Sequence, residues 1–326
     1  MNADTRLLRG EGLTKAFRAR GGWFAARPPI LAVRGVDIAI GSGEAVGVVG
    51  ESGCGKSTLG RLLLRLLPLS GGRVVFDGQD VSALGGAAMR PLRRRMQLIF
   101  QDPYGSLDPR RSIGAQIADG LLIHHLANRH DVTARVAALL CQVGLDGAQA
   151  SRLPHEFSGG QRQRIAIARA LSTEPHFLVA DEPVSALDVS VQAQVVNLLA
   201  DLRHELGLAL MFISHDLHVV RHLCDRVVVM YLGRVVEQGP AAAVFHAPAH
   251  PYTRALIAAT PSLRRPPAPG GVLAGEIPSL ADPPSGCAFR TRCPAAQPAC
   301  AEAVPELAPL PGEAGRQIAC WRAGAL

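Results

Sequence analysis

Lysine is almost absent from this chain of 326 residues, which takes nearly all of its positive charge from arginine. Its lysines are Lys15 and Lys56. Also lacking is any continuous apolar run of about 18 residues or more, so the sequence predicts no membrane-spanning helix. Residues 1–9 are largely polar and carry no apolar core of a signal peptide. If this protein works at a membrane, we expect it to do so as a peripheral subunit.

The positive charge is moderate. The 34 basic and 27 acidic residues leave a formal net charge of +7, which suits nucleic acid, an anionic lipid surface or a nucleotide. The densest basic cluster, residues 90–95, lacks the aromatic residues that alternate with basic ones on a nucleic-acid-binding surface. We therefore interpret most of the charge as solvated surface and expect no nucleic-acid partner.

One of the two lysines lies in a pattern that binds phosphate. The segment reads Gly50-Glu51-Ser52-Gly53-Cys54-Gly55-Lys56-Ser57-Thr58 and fits G-x-x-x-x-G-K-[ST]. Glycines let the backbone bring several N–H groups against phosphate oxygens, and the following helix offers its positive N-terminal end. We expect Lys56 to reach the β and γ phosphates and Ser57 to place its hydroxyl on Mg²⁺. The residues predicted to bind the nucleotide here are Gly50, Ser52, Gly53, Cys54, Gly55, Lys56, Ser57 and Thr58.

The alternative for this segment is a Gly-rich turn that binds nothing. Its flanks argue against that alternative. Residues 44–49 are a short, mostly apolar run typical of a buried parallel strand, and residues 59–67 are leucine-rich and helix-like until Pro68. A strand, a glycine loop and a helix in this order favour the phosphate site.

The remaining pattern predicts an α/β core with a helical insert. Residues 7–40 hold two strand-like stretches separated by a basic insert at 18–29. From about 89 to 171 the pattern is helical, with apolar residues three and four apart in 113–126 and 133–143. Strands are predicted afterwards at 176–180, 208–213, 227–232 and 235–239. Residues 261–284 are dense in proline and glycine, so we expect no regular structure there.

A second group of candidate residues follows one of these strands. Residues 177–180 are apolar and precede Asp181 and Glu182, as expected of a buried strand that delivers carboxylates to a site at its C-terminal edge. Asp181 could hold Mg²⁺, mostly through water, and Glu182 could orient or deprotonate an attacking water. Alone, the pattern is typical of an ordinary strand end. Downstream of a phosphate loop, it indicates a partner to that loop.

Ser158 precedes a helix-like segment. Residues 157–164 read Phe-Ser-Gly-Gly-Gln-Arg-Gln-Arg and open a helix over 165–171. Ser158 is a typical N-cap, and the two glycines free N–H groups that can point at an anion. As plain structure, the segment is a capped helix.

Together these segments resemble the signature of ABC transporter ATPase domains. The resemblance is carried, in chain order, by Ser158-Gly159-Gly160-Gln161, Asp181-Glu182, Ser185-Ala186-Leu187-Asp188 and His215. It implies that Ser158, Gly159 and Gly160 bind the γ-phosphate of an ATP held by the phosphate loop of an opposite subunit, and that Gln161 also belongs to this nucleotide-binding site. Asp188 would lie at the dimer seam. One chain alone would then be an incomplete enzyme.

The same resemblance gives roles to three further residues. Gln101 resembles the glutamine that contacts Mg²⁺ and the attacking water, and His215 resembles the histidine that contacts the γ-phosphate. By themselves, Gln101 lies in what looks like an ordinary loop and His215 at a strand end. Phe17 resembles the aromatic residue that stacks on adenine, with Trp23 and Phe24 as competitors.

Within this family the longest matches are to ATPase subunits of oligopeptide and dipeptide importers. They cover residues 101–109, 153–164 and 181–194, together with 250–256 and 286–294 of a C-terminal extension. The resemblance implies an α/β P-loop NTPase of the ABC type with an antiparallel β subdomain, a helical insert at about 89–171 and a Pro/Cys-rich extension. The expected domains are 1–239 for the ATPase and 240–326 for the extension.

The function implied by this resemblance is ATP hydrolysis that powers import of di- or oligopeptides or related small solutes. Expected partners are a second ATPase subunit, two transmembrane permease subunits and an extracytoplasmic solute-binding protein, with this chain at the cytoplasmic face of the inner membrane. The rival is a soluble ABC ATPase that acts on nucleic acid or ribosomes. That rival predicts two nucleotide units or a long coiled-coil insert, and the sequence has neither. An exporter ATPase is disfavoured by the C-terminal extension.

Four of the seven cysteines crowd the extension. Cys287, Cys293, Cys300 and Cys320 run C-x5-C-x6-C-x19-C, wider than the tight pairs of zinc fingers and closer to the irregular spacings that hold iron-sulfur clusters. Some members of the importer branch that the chain resembles carry a four-iron cluster at such a motif. Three interpretations stay open: a [4Fe-4S] cluster, zinc, or four reduced thiols.

Overall fold

The computed structural model describes residues 6–18, 29–260 and 275–323. Its strands are β1 (Arg6–Phe17), β2 (Ile30–Gly41), β3 (Ala45–Val49), β4 (Gly71–Phe76), β5 (Gln79–Asp80), β6 (Met96–Ile99), β7 (Phe177–Asp181), β8 (Ala209–Ile213), β9 (Arg226–Tyr231), β10 (Arg234–Pro240), β11 (Ala308–Pro309) and β12 (Gln317–Ile318). Its α-helices are α1 (Lys56–Leu63), α2 (Gly86–Arg95), α3 (Pro103–Ser106), α4 (Ile113–Ile123), α5 (Val132–Gln142), α6 (Gly159–Leu171), α7 (Val189–Leu206), α8 (Leu217–Leu223), α9 (Ala241–His246), α10 (Pro251–Ala259) and α11 (Ala299–Glu302). Within the described ranges, every helix is too short or too polar to span a bilayer.

The described residues divide into two compact units. The first unit comprises residues 6–7, 40–44 and 83–213. The second comprises residues 8–18, 29–39, 45–82, 214–260 and 275–323. Each unit is therefore built from stretches that lie far apart in the sequence.

Parallel strands form the centre of the first unit. β7 pairs with β6 on one side, with Met96 opposite Phe177, and with β8 on the other, with Phe177 opposite Ala209. All residues of β7 and β8 are buried, as expected of strands that are covered on both faces. Because parallel strands run in the same direction, the carboxyl ends of β6, β7 and β8 meet at one edge. The helices of this unit include α4, which packs against α5 and α6.

The helical pattern predicted over 89–171 is interrupted by β6. This strand has four residues, too few to display an alternation, and it directly follows the three arginines that end α2. Its conformation is set by pairing with β7, a contact that no local pattern carries. β4 and β5 were likewise not predicted, since β4 opens with two glycines and β5 has two residues.

The second unit contains antiparallel and mixed pairing. β1 pairs with β4 in antiparallel fashion, with Leu8 opposite Phe76, and β4 pairs with β5. β3 runs parallel to β9, with Val46 opposite Arg226. From β9 the pairing continues antiparallel through β10 and β12 to β11. The predicted α/β class with an antiparallel β subdomain is confirmed.

The predicted insert and linker lie partly outside the described residues. Of the insert at 18–29, the structure describes residues 18 and 29, and of the proline-rich segment it describes 275–284. Residues 275–284 form no helix or strand, in agreement with their composition.

Candidate functional site

The phosphate loop joins β3 to α1 in the second unit. A Cβ atom added to Gly50 would lie 2.2 Å from the carbonyl oxygen of Met230, and one added to Gly55 would lie 2.3 Å from that of Ala32. Both glycines also have positive φ angles, 150° and 104°. A side chain at either position would therefore clash with backbone and strain the loop. Ser52 and Gly53 lie exposed at its tip, where a ligand can reach the backbone.

Lys56 is folded into this loop. Its Nζ atom donates hydrogen bonds to the carbonyl oxygens of Gly50 at 2.8 Å and Glu51 at 3.0 Å. The side chain is 5% exposed and stands at the N-terminus of α1, the positive end of the helix dipole. An ammonium group, a helix N-terminus and glycine-spaced amides together provide a positive cradle that fits a polyphosphate.

Cys54 and His215 also lie in the second unit. Cys54 is buried under the loop, and burial raises the pKa of its thiol, so it is a neutral packing group at ordinary pH. His215 is exposed on the turn between β8 and α8. The turn is fixed next to it, because Asp216 caps α8 by accepting the N–H of His218 at 2.9 Å.

The carboxyl edge of the first unit's strands brings two predicted residues together. The side-chain amide of Gln101 donates to the Oε2 atom of Glu182 at 3.0 Å. Asp181, the last residue of β7, is 2% exposed. The backbone N–H of Glu182 donates to the carbonyl of Ile213 at 2.9 Å, which extends the β7–β8 pairing by one residue. The predicted strand that delivers two carboxylates is thus present.

Glu182 has a left-handed backbone conformation, with φ of 46°. Such a conformation costs a non-glycine residue about 1–2 kcal/mol, and residues of this kind cluster at functional sites. This backbone conformation turns the chain after β7, and the Glu182 carboxylate lies beside Gln101.

Ser158 caps α6 through a reciprocal pair of hydrogen bonds. Its hydroxyl accepts the N–H of Gln161 at 3.4 Å, while the Gln161 side chain accepts the N–H of Ser158 at 2.9 Å. This capping box confirms the predicted N-cap. Gly160 is buried against α7, since a Cβ atom there would lie 2.2 Å from a methyl carbon of Val191. Gly159, by contrast, has room for a methyl group.

An open surface surrounds this helix start. Ser158 and Asp188 are exposed, and Val189, the first residue of α7, is 83% exposed.

Phe17 ends β1 and is 39% exposed, with the Lys15 ammonium 5.2 Å from its ring centroid. Its competitors, Trp23 and Phe24, lie outside the described residues. The adenine-stacking role of Phe17 therefore stays a prediction.

The four cysteines of the extension line one small cavity of about 20 Å³ with His250. Burial raises the pKa of the thiols of Cys287, Cys293 and Cys320. Among the described residues, no group of three or more His, Cys, Asp or Glu side chains has a geometry that could hold a metal ion. The cysteines share a cavity but are not arranged as ligands.

The sequence predicts no role for Glu51 of the phosphate loop or for the two residues that contact it, Tyr252 and Arg292. Glu51 lies in the loop, and it is contacted by Tyr252 and Arg292 of the extension. Tyr252 and Arg292 fall within the motifs that carry the family resemblance. A motif shows that a residue type is characteristic of a family, but not what it touches.

Two family models match this chain. The model described as ABC transporter matches residues 33–185, and the model described as oligopeptide/dipeptide transporter, C-terminal region, matches residues 236–300. The oligopeptide transport ATP-binding protein AppF of Bacillus subtilis is 47% identical over 313 residues, which cover 94% of each chain. The di/tripeptide transport ATP-binding protein DppF of Pseudomonas aeruginosa is 46% identical over 318 residues, covering 97% of this chain and 98% of the relative.

A solved structure also resembles this chain. It is the dimeric, post-hydrolysis state of the ATP-binding cassette MJ0796 bound to ADP and Pi, with a TM-score of 0.64 and 27% identity, covering 72% of this chain and 98% of that chain. The protein described here belongs to the ATP-binding proteins of ABC transporters, which are ATPases. It also carries the C-terminal region of the oligopeptide/dipeptide transporters, as the motifs predicted.

Proposed function

We propose that this chain is the ATP-hydrolysing subunit that powers import of di- or oligopeptides through a membrane permease. The observation that carries the proposal is that one chain matches both the ABC transporter model and the oligopeptide/dipeptide transporter C-terminal model. The relatives named above, aligned over nearly their whole length, are named for oligopeptide and di/tripeptide transport. Expected partners are permease subunits, a second ATPase subunit and a solute-binding protein, with this chain at the cytoplasmic face of the inner membrane.

In this proposal the phosphate loop binds ATP. Its amides and Lys56 receive the phosphates, and Ser57, Gln101 and Asp181 are the side chains proposed to hold Mg²⁺. When bound, Mg²⁺ neutralises the charge that develops on the phosphates. His215 is the proposed contact to the γ-phosphate, and Phe17 the proposed contact to adenine.

Glu182 is the proposed general base. Its carboxylate takes a proton from the attacking water, and Gln101 orients both, which is supported by the 3.0 Å hydrogen bond between the two side chains. Hydrolysis then breaks the bond between the β and γ phosphates.

Ser158, Gly159, Gly160 and Gln161 are proposed to face an ATP held by another ATPase subunit. Support comes from the exposure of Ser158 and Asp188 around the start of α6 and from the 83% exposure of Val189. Closure around ATP and reopening after hydrolysis would drive the permease.

The direct test is purification from the native membrane followed by identification of the co-purifying proteins. We expect permease subunits and, in vesicles that contain the complex, ATP-dependent uptake of a labelled tripeptide. Glu182→Gln should abolish this uptake, whereas Glu174→Gln, at an exposed salt-bridging position, should preserve it. Recovery of the chain with ribosomes or nucleic acid and without a permease would overturn the proposal.

We further propose that Cys287, Cys293, Cys300 and Cys320 hold a [4Fe-4S] cluster, since four thiolates are its usual ligands and these four line one cavity. Binding would have to draw the thiols together, because in the described residues they form no group that could hold a metal ion. The thiols must deprotonate to bind it, so cluster binding releases protons. Iron and sulfide should be present in the native protein and be lost in Cys293→Ser but kept in Cys141→Ser, which alters an exposed cysteine elsewhere. Stoichiometric zinc, or no metal at all, would reject the cluster.

A further inference from the structure

The C-terminal extension holds one residue of the phosphate loop from two sides. The backbone N–H of Glu51 donates to the hydroxyl of Tyr252 at 2.8 Å. The Glu51 carboxylate accepts two hydrogen bonds from the Arg292 guanidinium, at 2.7 and 2.9 Å. Tyr252 belongs to α10, and Arg292 directly precedes Cys293. We call Glu51, Tyr252 and Arg292 the clamp.

The ion pair of the clamp is shielded from water. The Arg292 side chain is 4% exposed and that of Glu51 is 20% exposed. The Glu51 carboxylate raises the pKa of Arg292, so the guanidinium stays charged. A two-pronged contact of this kind fixes orientation as well as distance. Removing either partner would leave the other charge largely buried and without its ion-pair partner.

Aromatic packing makes the clamp rigid. The ring centroids of Tyr231 and Tyr252 are 4.7 Å apart, and those of Tyr252 and Phe289 are 5.4 Å apart. Phe289 is 1% exposed, and its carbonyl accepts the backbone N–H of Arg292 at 3.0 Å. The side chains that hold Glu51 are therefore seated in a packed core and are not free to follow a mobile loop.

Glu51 in turn positions the lysine of the loop. Its carbonyl oxygen accepts a hydrogen bond from Lys56 Nζ at 3.0 Å. The N–H, the carbonyl and the carboxylate of Glu51 are thus all engaged, the first and the last by the extension. A shift of Glu51 would move the oxygen that orients the Lys56 ammonium.

We propose that the C-terminal extension sets the affinity of the phosphate loop for ATP through the clamp. Arg292 and Tyr252 are positioning residues: they hold Glu51, and through it Lys56, in the geometry that receives the phosphates. The inference rests on the proposed function, because it takes ATP as the ligand of the loop. It adds a role for the extension that neither family match specifies.

The test compares two neighbouring arginines in the full-length chain. Arg292→Ala removes the ion pair to Glu51, whereas Arg290→Ala removes an arginine from the same segment whose side chain bonds to Ser285. We expect Arg292→Ala to raise the Kd for a fluorescent ATP analogue by about tenfold, or about 1.4 kcal/mol, because the nucleotide must then order the loop itself. Arg290→Ala should bind as the unaltered chain does. Tyr252→Phe, which deletes one hydroxyl, should raise the Kd by about threefold.

A double substitution separates positioning from general damage. If Arg292 acts through Glu51, then Arg292→Gln combined with Glu51→Gln should weaken binding no more than the worse single change. Arg292→Lys keeps the positive charge but loses the paired N–H donors of the guanidinium, so it should bind the ATP analogue more tightly than Arg292→Ala and less tightly than the unaltered chain. In Arg292→Ala, amide hydrogen exchange should be faster than in the unaltered chain for a peptide that covers the phosphate loop, while exchange in α4 and α5 stays unchanged.

The outcomes distinguish this inference from the function on which it rests. If the unaltered chain fails to bind the ATP analogue, the proposed function falls. If the unaltered chain binds and Arg292→Ala binds equally well, or if the two glutamine substitutions add fully, the clamp does not set affinity and the inference is overturned. A uniform rise in exchange across both units would assign Arg292 to folding alone and would also overturn it.

Discussion

Glu182 combines a strained backbone with a buried neighbour and a side-chain partner. Glu182 directly follows the buried Asp181 and has a φ of 46°, and its carboxylate accepts a hydrogen bond from the side-chain amide of Gln101. Glycine would relieve the strain but would lose the carboxylate, so the conformation is kept at a free-energy cost of about 1–2 kcal/mol. At the scale of one residue, this is the strongest structural sign of chemistry in the first unit.

Replacing Glu182 with glutamine should slow ATP hydrolysis by about 10² or more while ATP still binds, because the amide cannot accept the proton of the attacking water. Turnover and ATP affinity, measured on the same preparation, check this. Glu174→Gln is the matched control, since Glu174 also has a positive φ, 54°, and its carboxylate pairs with Arg94 and Arg135. Near-normal turnover in Glu182→Gln would refute the base assignment.

Lys56→Ala should weaken ATP binding by about tenfold to a hundredfold, since a charged hydrogen bond to phosphate is lost. The chain offers one other lysine as a control. Lys15 donates to the carbonyl of Pro68 at 2.7 Å, and Lys15→Ala should leave the affinity nearly unchanged. Titration with a fluorescent ATP analogue measures the affinity of both variants. If Lys56→Ala bound the analogue as tightly as Lys15→Ala, the predicted role of the phosphate loop would be contradicted.

At the scale of elements, the starts of α6 and α7 are packed together. Gly160 meets Val191 so closely that no side chain fits, whereas Gly159 would place a methyl group at an ordinary 3.6 Å from Leu187. Two adjacent glycines in one helical turn therefore differ in what they tolerate.

Gly160→Ala should lower the free energy of unfolding by about 1–3 kcal/mol, because the added methyl group pushes α7 away. Gly159→Ala should be neutral or stabilising by up to about 1 kcal/mol, since alanine favours the helix. Urea unfolding of the two variants tests the difference. Equal stabilities would show that α6 and α7 can separate freely.

His250 caps α10 and titrates far from its ordinary range. Its Nδ1 atom accepts the N–H of Tyr252 at 3.0 Å, and burial lowers its pKa from 6.5 to about 3. As pH falls below 6.5, His250 becomes protonated in the unfolded chain but stays neutral in the folded chain down to about pH 3. The contribution of His250 to the free energy of unfolding is therefore fully present above pH 6.5 and is lost as pH falls from 6.5 to about 3.

Because of His250, we expect the free energy of unfolding to fall by about 1.4 kcal/mol for each unit by which the pH is lowered within that window. His250→Asn keeps an N-cap acceptor without the titration, so its stability should fall less steeply with acid. His130→Asn, at an exposed site, should keep the steeper slope. Denaturant unfolding at several pH values compares the three, and parallel slopes for His250→Asn and the unaltered chain would contradict the expectation.

The elements that can be predicted from sequence have either a continuous apolar run, as in β3, β7 and β8, or apolar residues three and four apart, as in α4 and α5. The phosphate loop is predicted from its glycine and lysine pattern, and Asp181 and Glu182 from their position at the end of an apolar run. β6 could not be predicted, because four residues carry no period and its pairing partner lies far along the chain. The contact between Glu51 and Arg292 joins residues 241 positions apart, a pairing that no local pattern contains.

At the scale of the whole molecule, the residues proposed for one catalytic cycle are spread over both units and, by family resemblance, over two subunits. Ser158, Asp188 and Val189 are exposed in the first unit, where the proposed second subunit would bind. A single copy should accordingly be a poor ATPase.

Specific turnover of the purified chain should rise with its own concentration and approach a plateau, because association is governed by mass action. Glu182→Gln with ATP should stay associated at higher dilution than the unaltered chain, since it binds without hydrolysing. Light scattering and activity over a dilution series measure both, with Lys56→Ala as the variant that should remain monomeric. Turnover independent of concentration in a strictly monomeric sample would contradict this.

The ion pair between Glu237 and Arg316 has a consequence for synthesis on the ribosome. Both side chains are 1% exposed, and 79 positions separate the two residues. The same distance along the chain separates Gln238 of β10 from Gln317, the residue of β12 that lies opposite it. At about 5–20 residues per second, β10 waits several seconds for its partner to be translated. During that interval one edge of β10 is unpaired, and the Glu237 carboxylate, which accepts the N–H groups of Ala249 and His250, lacks its arginine. The unit that carries the phosphate loop is therefore completed late in translation.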